Sequence, residues 1–298
     1  IDSRSQTAPT KILIMAQQPL IHYHVRWRPS GHQPGASHGL VAGTGDQLRS
    51  VVLLRDNPDP RRLDLRASLR DPFENIWVRD FNLNSALKVI VLVDTSASMG
   101  YVGKVNRMHV AQEISSQLAL SAYRSGDAFG LYAASETINK QCMLPPKANR
   151  GAWLWVKHHF LKIKPQGQHA DGLFSVVPYL PQKRCLVFLV SDFRWKAGKL
   201  KSLLKKLGHH DVIPVMLQDP TELDELPKSG IAILRDAETG SGQFVWMRAS
   251  LRAQIAEIRA QHIQSVEEAS RMYGNKPFVV RGEFSSALLT EYFMERSA

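Results

Sequence analysis

The chain has 298 residues, of which 44% are hydrophobic and 22% charged, and these proportions exclude a disordered or collagen-like protein. Its longest aliphatic runs, residues 89–93 and 186–190, are far shorter than the roughly 18 apolar residues that a membrane-spanning helix needs. Two cysteines, Cys142 and Cys185, are too few for a disulfide framework or a four-thiolate zinc site. Residues 1–5 lack the basic stretch and apolar core of a secretory signal. We therefore expect a cytoplasmic protein with reduced thiols and no membrane span.

Lysine and arginine outnumber aspartate and glutamate by 38 to 27, and the net charge of +11 raises the question of a nucleic-acid partner. The densest cluster of lysines lies at residues 196–206, where Leu200, Leu203, Leu204 and Leu207 recur at helical spacing. This spacing predicts an amphipathic surface helix whose lysines face solvent, and no aromatic residues interleave with them. We therefore expect no nucleic-acid partner, and a nucleic-acid binder stays an alternative that rests on the charge alone.

Residues 1–85 differ in character from the rest of the chain. They are rich in turn-forming Gly, Pro, Asn and Asp around short strand-like pieces at 21–27 and 51–54, which predicts a β-rich or irregular extension. From residue 86 onward, buried strands alternate with amphipathic helices, which predicts a second domain over residues 86–298. Such alternation is typical of an α/β fold with a mainly parallel sheet flanked by helices.

The predicted elements of this second domain follow in chain order. Strands are predicted at 87–94, 128–134, 185–190 and 212–217, and helices at 104–123, 151–161, 171–180 and along the lysine-rich stretch. A predicted hairpin over 231–247 turns at 238–242. A long helix begins near residue 251, with a predicted inner stripe of Ile255, Ile258, His262, Val266 and Ala269. Ligands of such sheets bind at the carboxyl ends of the strands.

One of these strand ends carries an oxygen-rich motif. The strand at 87–94 ends in Asp94, and hydroxyl side chains follow at Ser96 and Ser98. In a turn between a strand and a helix, this alternation lets one carboxylate and two hydroxyls converge on one point. Three oxygen donors completed by water suit Mg²⁺ or Mn²⁺. A second interpretation needs no metal, because Asp94 and Ser96 also suit the cap of the following helix.

Another acid stands at the end of a second core strand. The run 186–190 leads into Ser191 and Asp192. Because the carboxyl ends of parallel strands share one edge of the sheet, two strand-end acids can meet there. We therefore predict that Asp94 and Asp192 lie at the same edge and belong to one site.

Several segments together resemble a known family. The segments 94–98 and 191–193 resemble the metal-ion-dependent adhesion site of von Willebrand factor type A domains. The segments 55–68, 78–81 and 234–240 are similar to the bacterial family called domain of unknown function 58. The resemblance implies a Rossmann-like von Willebrand factor type A sheet with an N-terminal β-rich extension. It also implies a bound divalent cation, magnesium or manganese, with the ligands Asp94, Ser96, Ser98 and Asp192.

The same resemblance implies partners. It indicates a role beside a MoxR-type AAA+ ATPase, in which this chain is a protein-binding adaptor in the maturation or assembly of a client complex. An acidic side chain of the partner would complete the coordination of the ion. The segment 23–29 is similar to the members encoded in methanol dehydrogenase maturation clusters, which implies methanol dehydrogenase as the client.

Two departures from the family pattern bear on the site. Leu65 stands where the family usually has Trp, and Ala170 stands where the metal site usually takes a Thr. The missing hydroxyl predicts weak metal binding. His169 and Asp171 are candidate replacements as ligands, and each is equally well interpreted as a loop residue or as the cap of the next helix.

The motifs of several enzyme classes are incomplete or absent in this sequence. A phosphate-binding loop would need Gly at position 98 and a hydroxyl at 105, where the chain has Ser98 and Val105. A haloacid dehalogenase would need a second Asp where Ser96 stands, and no Gly-x-Ser-x-Gly elbow occurs. We therefore expect a protein that is not an enzyme. The alternative is a magnesium-dependent hydrolase of phosphoesters that uses Asp94 and Asp192 to activate water.

Overall fold

The computed structural model describes residues 20–27, 34–160, 162–219, 227, 230–235 and 242–297. The strands are β1 (Pro34–Leu53), β2 (Trp77–Ser85), β3 (Lys88–Asp94), β4 (Ala128–Ala134), β5 (Ile138–Lys147), β6 (Leu186–Ser191), β7 (Asp211–Gln218), β8 (Gly230–Arg235), β9 (Gly242–Met247) and β10 (Phe278–Arg281). The α-helices are α1 (Leu65–Arg70), α2 (Arg107–Arg124), α3 (Ala152–Phe160), α4 (Gly172–Val176), α5 (Lys199–Lys206), α6 (Ala249–Arg271) and α7 (Ser286–Ser297).

A six-stranded sheet in the order β10-β7-β6-β3-β4-β5 forms the centre of the protein. Its strands are parallel except for β5, which pairs antiparallel to β4. Val93 of β3 lies opposite Val190 of β6, so these two central strands end at the same level. Asp94 and Asp192 therefore lie at the same carboxyl edge of the sheet, as predicted.

Helices cover both faces of this sheet. On one face, β3 contributes Val89, Val91 and Val93 to a core that includes side chains of α2, α3 and α7. On the other face, Ile90 and Leu92 belong to a core with side chains of α4, α5 and α6. A strand buried on both faces needs a continuous apolar run rather than alternation, which explains the sequence of β3.

The N-terminal β-rich extension contains the antiparallel pair β1 and β2. Together with the mainly parallel sheet between helices, this pair confirms the predicted α/β fold class. The division into residues 1–85 and 86–298 stays a prediction. Within the described part of the chain, no helix combines the length and the apolar character needed to cross a bilayer.

The predicted strand-like piece at 21–27 is wrong, because these residues pair with no strand among those described. The segment instead lies against two helices: the Ile21 amide donates to Ser121 Oγ of α2 at 2.9 Å, and the His22 amide donates to Thr290 Oγ1 of α7 at 3.1 Å. Ile21 and Tyr23 are buried in the core. The alternating apolar residues therefore serve helix packing rather than sheet pairing.

The predicted inner stripe of the long helix is wrong at one position. Val266 of α6 is buried, but Ile258 is 66% exposed. The buried positions of this helix lie in its C-terminal half, which packs near α5. The hairpin is present as β8 and β9, and most of its predicted turn, residues 238–241, lies outside the described residues.

Candidate metal centre

The turn after β3 gathers oxygen atoms around Asp94. The backbone amide of Ser96 donates to Asp94 Oδ1 at 2.8 Å. A short 3-10 helix, Ala97–Gly100, then turns the chain so that the hydroxyl oxygens of Ser96 and Ser98 lie 3.3 Å apart. The alternation of Asp94, Ser96 and Ser98 in the sequence thus becomes convergence in space.

The end of β6 closes the same site from the neighbouring strand. Ser98 Oγ donates to Asp192 Oδ1 at 3.2 Å, and Ser191 Oγ donates to Asp94 Oδ2 at 2.7 Å. The structure therefore brings Asp94, Ser96, Ser98 and Asp192 into one hydrogen-bonded network. All four are buried, with exposed fractions of 3% or less.

Asp94 is a fully buried carboxylate with neutral hydrogen-bond donors. Besides the Ser96 amide and the Ser191 hydroxyl, the indole Nε1 of Trp195 donates to Asp94 Oδ2 at 2.8 Å. Among the described residues, Asp94 forms no ion pair. Burial, and then the nearby Asp192 carboxylate, raise the pKa of Asp94, and the three hydrogen bonds oppose this rise only in part. A nearby cation would relieve the cost of this buried charge.

Asp192, in contrast, has a cationic partner inside the protein. Arg107 Nη1 lies 3.0 Å from Asp192 Oδ2 and also donates to the Ser98 carbonyl oxygen at 2.9 Å. The side chains of Arg107 and Asp192 are 3% and 2% exposed. Arg107 is the first residue of α2, whose N-cap is Asn106, so the start of this helix delivers the guanidinium to the sheet edge.

Sequence reasoning missed Arg107, although the chain contains a signal for it. Arg107, Val110, Ala111 and Ile114 recur at i, i+3, i+4 and i+7, and all four are buried. The spacing places Arg107 on the inner face of α2. A basic residue on the inner face of a helix that begins at the carboxyl edge indicates a buried acidic partner.

The segment after β6 adds further groups. Phe193 has a φ of +54°, in the left-handed region that side chains such as phenylalanine rarely adopt. Its amide donates to Ser191 Oγ at 2.8 Å, and the turn that follows directs Trp195 towards Asp94. From α6, His262 Nε2 lies 3.2 Å from the Asp192 carbonyl oxygen. Trp195 and His262 were not predicted as site residues.

The loop that should supply a Thr lies beside the site. The Gln166 amide donates to the Thr95 carbonyl oxygen, and the Ala97 amide donates to the Gly167 carbonyl oxygen, both at 3.0 Å. Ala170 is 5% exposed and packs in the core, so it offers no hydroxyl.

The two candidate replacements for the missing Thr stand outside the hydrogen-bonded network. Asp171 precedes α4 and forms an ion pair with Lys199, at the start of α5. His169 lines a cavity next to the site. In the described ranges no hydrogen bond joins either residue to Asp94 or Asp192.

These side chains suit a small hard cation. Arg107 and Arg194 both pair with Asp192, whereas Asp94 forms no ion pair among the described residues, and the donors that converge are all oxygen, as Mg²⁺ and Mn²⁺ prefer. No group of three or more His, Cys, Asp or Glu side chains in the described part of the chain could hold a metal. Binding would therefore depend on the hydroxyls of Ser96 and Ser98, which carry no charge, and we expect it to be weak.

The fold and this edge define an α/β protein whose oxygen-rich site lies at the ends of two central parallel strands. The chain belongs to the family described as "Protein of unknown function DUF58", which matches residues 58–265. The uncharacterized protein Rv1480 of Mycobacterium tuberculosis is 23% identical over 259 residues, which cover 84% of this chain and 79% of that protein.

Two further comparisons concern shorter or weaker matches. An "uncharacterized protein in moxR 3'region" of Paracoccus denitrificans is 31% identical over 101 residues, which cover 34% of this chain and 96% of that protein. Among solved structures, the SpRpn10 VWA domain is similar at 12% identity with a TM-score of 0.40, and the match covers 70% of this chain and 95% of that domain.

Proposed function

We propose that this protein is a non-enzymatic adaptor that binds an acidic side chain of a partner protein through a divalent cation. Asp94, Ser96, Ser98 and Asp192 would hold the cation, magnesium or manganese. The observation that supports this most is Asp94, which is fully buried next to a second carboxylate and receives hydrogen bonds from neutral donors alone.

The physical reason lies in the charge balance at the sheet edge. Arg107 compensates Asp192, and Asp94 is left with a raised pKa and no ion pair among the residues that the structure describes. A divalent ion would supply that compensation and would make the site net positive. A hard cation with few protein ligands favours an incoming carboxylate over water, which gives the site its preference for acidic partners.

We propose a MoxR-type AAA+ ATPase as the partner that supplies mechanical work. The support is the family membership together with the Paracoccus denitrificans relative, which is described as a protein of the moxR 3' region. The client would be a protein complex that this pair assembles or matures. Methanol dehydrogenase is a candidate client through the similarity of the segment 23–29, of which residues 28 and 29 lie outside the described residues.

The test is co-purification of the full chain with a MoxR-type ATPase from the same organism, or with a client, with and without chelator. The variant Asp94→Asn removes one charge at the site and keeps the shape of the side chain. The matched control Asp56→Asn makes the same change on the extension, where Asp56 is 60% exposed. We expect partner binding to fall in Asp94→Asn and in the chelated wild type, and to persist in Asp56→Asn.

Two results would overturn the proposal. One is partner binding that neither the chelator nor Asp94→Asn weakens. The other is hydrolysis of a phosphoester such as p-nitrophenyl phosphate by the wild type and not by Asp94→Asn, which would establish the hydrolase alternative instead.

A further inference from the structure

A basic cavity of about 250 Å³ adjoins the candidate metal centre. Two of its lining residues contact that centre: Trp195, whose indole donates to Asp94, and Arg194, whose Nε lies 3.8 Å from Asp192 Oδ2. The lining side chains come from the loop before α4, the segment after β6 and the start of α5, and they are Gln168, His169, Ala170, Arg194, Trp195, Lys196 and Lys199.

None of the lining residues is acidic, and three of them are permanently cationic. Lys199 is already paired with Asp171, and the Arg194 side chain, 47% exposed, faces Asp192. Lys196 is exposed and has no ion pair among the described residues. The cavity therefore holds one positive charge whose acidic partner is not supplied by the described part of the chain.

The walls of the cavity are not uniformly polar. The apolar residues Trp195 and Ala170 line it alongside the cationic ones. A water molecule occupies about 30 Å³ in the liquid, so the cavity has room for an acidic side chain together with several waters. An apolar wall next to a cation suits a glutamate, whose methylene stem packs while its carboxylate pairs.

We propose that this cavity binds a second carboxylate of the same acidic partner segment, next to the one that reaches the candidate metal centre. This inference rests on the proposed function for the first carboxylate, and it adds the class of ligand: a peptide with at least two acidic residues close together. Lys196 is the specificity-determining cation, Arg194 and Lys199 add to the positive field, and Trp195 connects the two subsites.

The test measures the binding of a fluorescein-labelled octaglutamate peptide to the full chain by fluorescence anisotropy in millimolar Mg²⁺ at low salt. We expect Lys196→Glu to weaken binding about tenfold, since it places a negative charge where the acidic peptide binds. Lys201→Glu is the matched control, because Lys201 is exposed on α5 and does not line the cavity. This control should change the affinity by less than about twofold, and an octaglutamine peptide should not bind.

A chelator separates this inference from the proposed function. If chelation and Asp94→Asn abolish binding and Lys196→Glu has no more effect than Lys201→Glu, the cavity proposal is wrong and the adaptor proposal stands. If Lys196→Glu weakens binding and neither chelation nor Asp94→Asn does, the cavity is an anion site and the metal-dependent function is wrong.

Two further outcomes count against the cavity proposal. One is wild-type protein that does not bind octaglutamate at all. The other is inorganic phosphate that binds with the same dependence on Lys196 while the peptide does not, since the cavity would then be a phosphate site. The melting temperature of Lys196→Glu, which we expect to match that of the wild type, shows that any loss of binding does not arise from unfolding.

Discussion

Buried aspartates lie at both ends of the central sheet: Asp127 and Asp211 at the amino edge, where the parallel strands begin, and Asp94, Asp192 and Asp219 at the carboxyl edge, where they end. Their surroundings differ. At the amino edge, Asp211 forms an ion pair with Arg296 of α7 and accepts a hydrogen bond from Asn275 at 3.2 Å. At the carboxyl edge, Asp94 accepts bonds from neutral donors and faces a second carboxylate.

At the amino edge, the buried aspartates connect parts of the chain that are distant in sequence. Asp127 accepts a hydrogen bond of 2.6 Å from the Tyr23 hydroxyl and one of 2.8 Å from the Leu87 amide. Asp211 connects β7 to the C-terminal helix. Burial alone therefore does not identify a functional acid. Asp127 also accepts hydrogen bonds from neutral donors alone, so an uncompensated charge is not sufficient either. The distinguishing feature is that the uncompensated Asp94 lies near a second carboxylate, Asp192, and in one network with the hydroxyls of Ser96 and Ser98.

The largest expected effect comes from disrupting the buried ion pair at the amino edge. Asp211→Ala leaves the Arg296 guanidinium buried without its acid, and we expect a loss of about 4 kcal/mol in the free energy of unfolding. Urea denaturation measures it. Asp171→Ala removes an ion pair with Lys199 in which the Asp171 side chain is 47% exposed. This change should lower the free energy of unfolding by less than about 1 kcal/mol. Equal losses in the two variants would contradict the structural role of the amino edge.

The next effect concerns Arg107, the buried guanidinium at the carboxyl edge. Without divalent ions, Arg107→Met leaves Asp192 buried beside Asp94 and should cost about 3 kcal/mol. Because one positive charge is gone, Mg²⁺ should bind at least about tenfold more tightly than to the wild type. Thermal melting at increasing Mg²⁺ concentration tests both expectations. A variant whose melting temperature does not respond to Mg²⁺ would show that the site does not select a cation.

The third prediction concerns pH at the amino edge. Burial raises the pKa of Asp127 from 3.8 to about 6, so its contribution to stability is fully present below about pH 4 and is lost as the pH rises through about 6. Asp127→Asn removes this titration. We expect the variant to be about 1–2 kcal/mol more stable than the wild type at pH 8, with the advantage disappearing at pH 4. A difference in unfolding free energy between the variant and the wild type that stays constant from pH 4 to pH 8 would refute the raised pKa of Asp127.

The smallest effect comes from Asp94→Asn and has the opposite sign to that of Asp211→Ala. Asp94→Asn removes an uncompensated buried charge, and the amide it introduces fits less well against the Trp195 indole. In chelator at pH 7.5 we expect a net gain of about 1 kcal/mol. The raised pKa means that the wild-type carboxyl takes up a proton in the folded state as the pH falls, so the gain should shrink in acid. A destabilised Asp94→Asn at neutral pH would show that the carboxyl edge is compensated after all.

The parts of the site that lie close in sequence were predictable. Asp94, Ser96 and Ser98 follow one apolar strand, and Asp192 follows another, so strand ends and hydroxyl spacing were sufficient to place them together. The edge strand β5 was not predicted, because its sequence contains two prolines, which an edge strand tolerates and a central strand does not. Ile258 was misassigned because helical periodicity identifies an apolar face but not whether another element covers it.

The amino-acid sequence by itself determined the α/β class, the four strands β3, β4, β6 and β7 with helices between them, and the two acidic strand ends, because these depend on local periodicity. Only the tertiary structure decided what surrounds those acids. Arg107 reaches Asp192 from a helix 85 residues earlier in the chain, and Trp195 reaches Asp94 from a turn 101 residues later. Such long-range contacts decide which carboxylate is paired with a cation inside the protein and which is not. No local sequence pattern encodes contacts between residues so far apart in the chain.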